Sequence, residues 1–190
     1  NRIFEGTNEI NRLIITGWAI KRAMQGRLAL LPAIQRVMDE VLGGPVTRED
    51  RPGELADQYF LLANAKKLTL FCAGAASQKY GSGLADQQEI MGALADMIME
   101  VLVLESAILR TEKMQGQSLL AIKMTKYYAV RSFRIVETAA ERVLGSVAEG
   151  DMLRTQMTIF RRLTKHDPEN TVALGREIAV AMTEAGRYRL

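Results

Sequence analysis

Long stretches of this sequence lack proline, the residue that most strongly breaks an α-helix. Residues 54–115 and 117–149 contain none, and the four prolines of the chain are Pro32, Pro45, Pro52 and Pro168. Proline removes a backbone donor, and its ring clashes with the preceding helical turn. Apolar residues recur at helical spacing through both stretches, without an alternating strand pattern between them. The sequence therefore predicts an all-α fold built as an antiparallel helical bundle.

The clearest predicted helix covers residues 85–113. Six apolar residues recur there at steps of three and four, namely Ile90, Leu94, Met97, Val101, Leu104 and Ile108. Met91, Ile98, Leu102 and Leu109 widen this stripe, which predicts burial on more than one side of the helix. Further helices are predicted over residues 54–80, 117–148, 151–165 and 171–187. The short turn at residues 81–83 favours antiparallel neighbours, and residues 167–170 favour a turn and a new N-cap.

Composition excludes several classes of protein. The single cysteine, Cys72, precludes an intrachain disulfide, and the single histidine, His166, leaves no cluster of ligands for a transition metal, so no metal site is expected. The longest aliphatic runs fall far short of the ~20 apolar residues that span a bilayer. Cys72 and Trp18 lie at apolar positions and are expected in the core.

The net charge of +3 is unevenly distributed, since residues 110–190 hold 14 Lys and Arg against 9 Asp and Glu. Basic residues that could form a patch are Arg131, Arg134, Arg142, Arg154, Arg161, Arg162 and Lys165. No helix-turn-helix spacing and no interleaved aromatic residues accompany them. Amphipathic helices usually carry such charges on a solvated face, so nucleic-acid binding is not expected.

The first fifteen residues differ in kind from the rest. Glu5 stands between Phe4 and Gly6, and Thr7 is placed where it can cap a helix. If Ile3 and Phe4 are buried, the pKa of the Glu5 carboxyl is raised towards a value that suits a general base. Gly6 lets a substrate approach the backbone closely. A glutamate before an N-cap is also commonly a plain surface charge, so these residues alone leave both interpretations open.

The run from residue 3 to residue 10, followed by Arg12-Leu13-Ile14-Ile15, closely resembles a signature of the acyl-CoA dehydrogenase family. In that family the matching glutamate removes the α-proton of an acyl-CoA thioester, while the β-hydrogen leaves as hydride to N5 of FAD and a trans-2-enoyl-CoA forms. The resemblance implies that Glu5 is this base and that Gly6 lies against the substrate. It places Thr7, Asn8 and Glu9 where the family contacts FAD.

The resemblance also implies that the chain is a C-terminal part of such an enzyme, because most of the family's flavin and substrate pocket would precede Asn1. Residues 1–27 are then the end of the catalytic helical domain, and residues 28–53 a linker with a short amphipathic helix. Residues 54–190 are expected to be an extra C-terminal helical domain similar to that of the very-long-chain branch, whose members are dimers. Alone, this part is expected to be structural, inactive and without FAD.

Partners and location follow from the same resemblance. A fatty acyl-CoA in β-oxidation is the implied substrate, an electron-transfer flavoprotein the implied acceptor, and a homodimer the implied assembly. Residues 27–42 have an apolar face, but Arg27 and Arg36 are offset by Asp39 and Glu40, so packing in the bundle is favoured over a membrane surface. A bacterial cytoplasmic location is expected, with peripheral membrane contact as the lesser option. The alternative is a helical dimerisation or partner-docking module without catalysis.

Overall fold

The computed structural model describes residues 6–43, 51–114 and 118–188. Within these ranges the chain forms seven α-helices and no strand, which confirms the all-α bundle. The helices are α1 (Asn8–Met24), α2 (Leu30–Gly43), α3 (Ala56–Tyr80), α4 (Gln88–Lys113), α5 (Leu119–Val147), α6 (Gly150–Leu163) and α7 (Thr171–Ala185). None of these helices is long and apolar enough to cross a membrane.

The core lies between α3, α4 and α5, and α5 also contacts α6 and α7. Its largest fully buried side chains include Leu68, Phe71, Met97, Leu104, Ile108, Phe133 and Leu144. The predicted stripe on α4 is confirmed, since five of its six residues are buried and Val101 is partly buried against them. Burial of the wider stripe is confirmed for Met91 but wrong for Leu102 and Leu109, which are 64% and 50% exposed. α4 therefore has one buried face and one outward face.

Individual residues at the turns end one helix and begin the next. Gly81 ends α3 with a left-handed φ of +53°, a conformation that a residue with a Cβ adopts only at a cost. A 3-10 helix (Gly81–Asp86) follows, and it delays the start of α4 from the predicted residue 85 to Gln88. The predicted N-cap between α6 and α7 is Asn170, whose Oδ1 accepts from the backbone N–H of Ala173 at 3.0 Å.

The amphipathic segment predicted over residues 27–42 forms α2 and packs on α3. Val37 and Val41 are buried on its inner face, whereas Leu31 and Leu42 are exposed. Most of the predicted linker after α2, residues 44–50, lies outside the described residues. Cys72 is fully buried on α3, as expected, and burial raises the pKa of its thiol.

Candidate functional site

The segment that carries the family resemblance leads directly into α1. Thr7 has an extended backbone, and its Oγ1 accepts from the backbone N–H of Ile10 at 3.3 Å, so the predicted N-cap is confirmed. Gly6 has a φ of +92°, and its carbonyl accepts from the Asn11 side-chain amide at 3.3 Å. A Cβ on Gly6 would lie 3.1 Å from Asn11 Oδ1. Both the backbone angle and this close contact favour glycine here.

The four described residues of the predicted site lie together at the N-terminal end of α1. Gly6 and Glu9 are exposed, while Thr7 and Asn8 are half-buried. The Thr7 hydroxyl is used by the cap, and the Asn8 carbonyl accepts from Arg12 Nη1 at 3.2 Å. The side chains of Asn8 and Glu9 make no hydrogen bond within the described ranges. Glu5, the candidate base, lies outside the described residues.

These polar groups fit one edge of a flavin cofactor. Asn8 offers an amide donor and acceptor, and the exposed Glu9 a carboxylate acceptor. The two largest described cavities lie elsewhere in the bundle, one between α4 and α5 and one beside the loop before α7. Neither of these two cavities is lined by Gly6, Thr7, Asn8 or Glu9.

α1 is attached to α4 by polar bonds that sequence reasoning did not single out. Arg12 Nε donates to Asp96 Oδ1 at 2.6 Å, and the buried Thr16 hydroxyl donates to the Met91 carbonyl at 2.8 Å. Leu13 and Ile20 pack against the core between these bonds. The sequence feature that could have indicated this attachment is Asp96, a carboxylate between the apolar residues Leu94 and Met97 of α4. These bonds fix the helix that follows the candidate base relative to the bundle.

The opposite face of α1 is apolar and exposed. Ile10, Ile14 and Trp18 recur at steps of four, and Trp18 is 51% exposed. The Lys21 ammonium lies 4.9 Å from the centroid of the Trp18 ring, and the Arg22 guanidinium 5.8 Å from it. The expectation that Trp18 lies in the core is wrong, because α1 turns Leu13, Thr16 and Ile20 towards α4 and this stripe away from it.

The residues of the predicted basic patch lie in several separate places. Arg131, Arg134 and Arg142 line a cleft beside α4, whereas Arg162 and Lys165 line a separate cavity beside the loop between α6 and α7. Arg154 pairs with Asp151 on α6. Such scattered charges do not form the continuous basic stripe that nucleic-acid backbones require.

Comparisons with known proteins agree with the resemblance. The sequence profile of the family "Acyl-CoA dehydrogenase, C-terminal domain" matches residues 64–162. A probable acyl-CoA dehydrogenase of Bacillus subtilis (strain 168) is 39% identical over 193 residues, a match that spans 99% of this chain and 32% of the relative. The crystal structure of an acyl-CoA dehydrogenase complexed with FAD from Bacillus anthracis matches with a TM-score of 0.92 at 40% identity, covering 100% of this chain and 32% of that one.

The chain thus spans about a third of the length of these relatives. The profile match covers most of α3 and all of α4 and α5, which are the helices that form the core. Because that match extends over half of the sequence, this chain belongs to the acyl-CoA dehydrogenase family.

Proposed function

We propose that this chain is the C-terminal part of an FAD-dependent acyl-CoA dehydrogenase that converts a fatty acyl-CoA to a trans-2-enoyl-CoA in β-oxidation. The observation that carries the proposal is the position of Gly6 and Thr7, which follow Glu5 in the sequence. These two residues lead directly into α1, and α1 is bonded to the bundle that matches the family. The full similarity in fold to an FAD-bound acyl-CoA dehydrogenase supports the same conclusion.

In this mechanism Glu5 removes the α-proton of the acyl thioester and keeps it on a carboxylate oxygen. A weakly acidic α-proton needs a base whose pKa lies near the working pH, together with groups that stabilise the developing enolate oxygen. FAD, when bound, supplies the acceptor for the β-hydrogen, which leaves as hydride. Gly6 keeps the backbone clear of the thioester, and Thr7, Asn8 and Glu9 orient the cofactor edge.

We assign residues 1–27 to the end of the catalytic helical domain, 28–53 to a linker and 54–190 to an extra helical domain of the very-long-chain type. The bundle that follows α1 supports this division. The extra domain would hold a homodimer in the bacterial cytoplasm, with an electron-transfer flavoprotein as acceptor. The chain alone is then structural and inactive, because most of the flavin and substrate pocket belongs to the remainder of the polypeptide.

The test is Glu5→Gln in the full-length enzyme. Loss of the base should lower the rate of flavin reduction by fatty acyl-CoA by about 10²–10⁴-fold, the range typical of general bases. The flavin absorbance of the purified variant should be unchanged, because the substitution removes a charge and not the cofactor contacts. Glu184→Gln, an exposed glutamate on α7, is the matched control and should react like the wild type. Full reduction rates in Glu5→Gln would rule out Glu5 as the base.

A second function is favoured by the exposed face of α1. Ile10, Ile14 and Trp18 form an apolar stripe that suits a helical dimerisation or docking module without catalysis. The mass and visible spectrum of the native protein separate the two functions. A yellow protein much heavier than 21.1 kDa supports the enzyme, whereas a colourless protein of that mass supports the module.

A further inference from the structure

A cleft of about 640 Å³ lies between α4 and α5 and reaches the first residue of α7. Three arginines of α5 line it, namely Arg131, Arg134 and Arg142. Its volume falls within the range of small-molecule sites, which is roughly 300–1,000 Å³. None of the described residues assigned to the proposed reaction, Gly6 to Glu9, lines the cleft.

The charge of the cleft is positive and largely uncompensated. All three arginines are exposed, and none of them forms an ion pair with another described residue. The one carboxylate in the wall, Asp96, is bonded to Arg12 at 2.6 Å, which offsets its charge. Glu137, which interacts with His166 as well as Arg134, stands outside the lining. Guanidinium groups bind phosphate oxygens through paired hydrogen bonds, so an anionic ligand is favoured.

The spacing of the arginines limits the shape of this ligand. With a rise of about 1.5 Å per residue, Arg131 and Arg134 are about 4.5 Å apart along the axis of α5, and Arg142 lies about 12 Å beyond Arg134. The first two can hold one anionic group between them, and the third can hold another. The Tyr127 ring lies one turn before Arg131 and also lines the cleft.

The wall between the arginines is mainly apolar. Val130, Ile135 and Ala139 line it from α5, and the Thr138 hydroxyl is available to accept a hydrogen bond. An inorganic anion would leave this surface and the Tyr127 ring without contacts. A nucleotide has the anionic groups, the length and the planar base that match all three parts of the cleft.

We propose that this cleft binds an organic phosphate of nucleotide size. Its adjoining phosphates lie on Arg131 and Arg134, a more distant anionic group lies on Arg142, and its base or other apolar portion lies against Tyr127. The site shares no lining residue with Gly6–Glu9, and its wall residue Asp96 is bonded to Arg12 of α1, so a ligand bound here would regulate the enzyme through α1.

Calorimetric titration of the chain with ADP, coenzyme A and inorganic pyrophosphate at one ionic strength tests the site. ADP and coenzyme A should bind more tightly than pyrophosphate, and the double variant R134Q/R142Q should weaken binding at least tenfold. R154Q is the matched control, since Arg154 is also exposed but lies on α6, and it should bind like the wild type. The thermal unfolding of each variant should match the wild type, because these side chains are exposed.

Three results would overturn the proposal. They are the absence of binding by all three probes, equal weakening by R154Q and R134Q/R142Q, and affinity for ADP no greater than for pyrophosphate. The titration is repeated on the full-length Glu5→Gln protein with and without R134Q/R142Q, and only binding that this double variant weakens is assigned to the cleft, because coenzyme A is also part of the proposed substrate. Binding that is lost there would show that the remainder of the polypeptide covers the cleft and would also count against it. Turnover plays no part in these measurements, so they are independent of the proposed function.

Discussion

Tyr128 joins α5 to α4 by donating its hydroxyl to Glu100 Oε2 at 2.9 Å. Burial, reinforced by this hydrogen bond, raises the pKa of Tyr128 from its usual 10.0 to about 12. Between these values a tyrosine in the unfolded chain loses its proton while folded Tyr128 keeps it. The unfolded state then binds fewer protons, so this contribution to stability is complete below pH 10 and is lost as the pH rises to 12.

Tyr128→Phe should therefore flatten the decline in stability above pH 10. At pH 7 the variant should be less stable by about 1 kcal/mol, the usual contribution of one hydrogen bond. Urea unfolding at pH 7, 10 and 11.5 measures both effects. Tyr127→Phe, a neighbouring exposed tyrosine, is the control and should keep the decline of the wild type. An unchanged decline in Tyr128→Phe would contradict the role given to this hydroxyl.

At the candidate site, the sequence could predict the features that depend on residues close together along the chain. The Thr7 cap depends on a bond three residues along the chain, and such capping patterns are short. The bond from Arg12 to Asp96 joins residues 84 positions apart, so no local pattern contains it. The left-handed backbone of Gly6 depends on how the chain turns into α1, and a single glycine in a sequence does not specify that turn.

At the scale of helices, Gly74 sets how closely α2 approaches α3. A Cβ built on Gly74 would lie 2.7 Å from Ile34 Cγ2, a distance at which the Ile34 side chain or its helix must shift. Alanine favours a helix over glycine by about 1 kcal/mol, but overpacking typically costs about 1–3 kcal/mol. Gly74→Ala should therefore destabilise the protein despite its higher helix propensity.

A matched control is available on α4. Gly92→Ala adds the same methyl group where no atom lies within 4 Å, so it should stabilise the protein by about 0.5–1 kcal/mol. The free energies of urea unfolding of both variants give the comparison. Ile34→Ala should relieve the cost of Gly74→Ala when the two are combined. Equal effects of Gly74→Ala and Gly92→Ala would disprove the close packing.

The contribution of the α1–α4 bonds to the stability of α1 should be measurable by amide hydrogen exchange. Asp96→Asn removes the charge that pairs with Arg12, and the partly exposed pair contributes about 0.5–1 kcal/mol. The amides of α1 should then exchange faster, while those of the core helices α3 and α5 keep their rates. Asp151→Asn breaks an ion pair confined to α6 and should leave α1 unchanged. Unchanged exchange in α1 after Asp96→Asn would show that Thr16 and the apolar contacts suffice.

The long helices and the main buried stripe of α4 could be predicted, whereas the exposure of the apolar residues outside that stripe could not. The α4 stripe from Ile90 to Ile108 is buried, since a long periodic pattern fixes one core face. Leu102 and Leu109 are as apolar as that stripe but lie on the other side, and only the position of α5 decides which side is inside. The exposure of Trp18 has the same cause, because α1 packs on α4 through a different face.

At the scale of the whole molecule, the proposed function implies that the remainder of a longer polypeptide covers the outward face of α1. Its relatives are about three times as long as this chain, and the face continues from the candidate catalytic segment. The fluorescence contributed by Trp18, obtained as the difference between wild type and Trp18→Phe, should peak at a longer wavelength in the chain alone than in the full-length protein. Iodide should quench it only in the chain alone.

The same difference measurement contains its own control. Trp18 is the single tryptophan of the chain, so the Trp18→Phe spectrum of the chain alone reports any background from tyrosine. An identical difference spectrum in the chain and in the full-length protein would mean that this face is solvent-exposed in both. That outcome would favour the docking module and weaken the assignment of residues 1–27 to a catalytic domain.

The attachment of α1 to α4 also bears on how inherited variation in this protein is interpreted. Asp96 lies far from Glu5 in the sequence, and Thr16 has no role in the reaction itself. A survey of alleles would ordinarily class changes at either residue as harmless or as folding defects. On the proposed function they belong with the catalytic alleles, because the polypeptide can accumulate to normal levels while the base is held in the wrong place. Protein abundance alone would then fail to identify the damaging alleles of this gene.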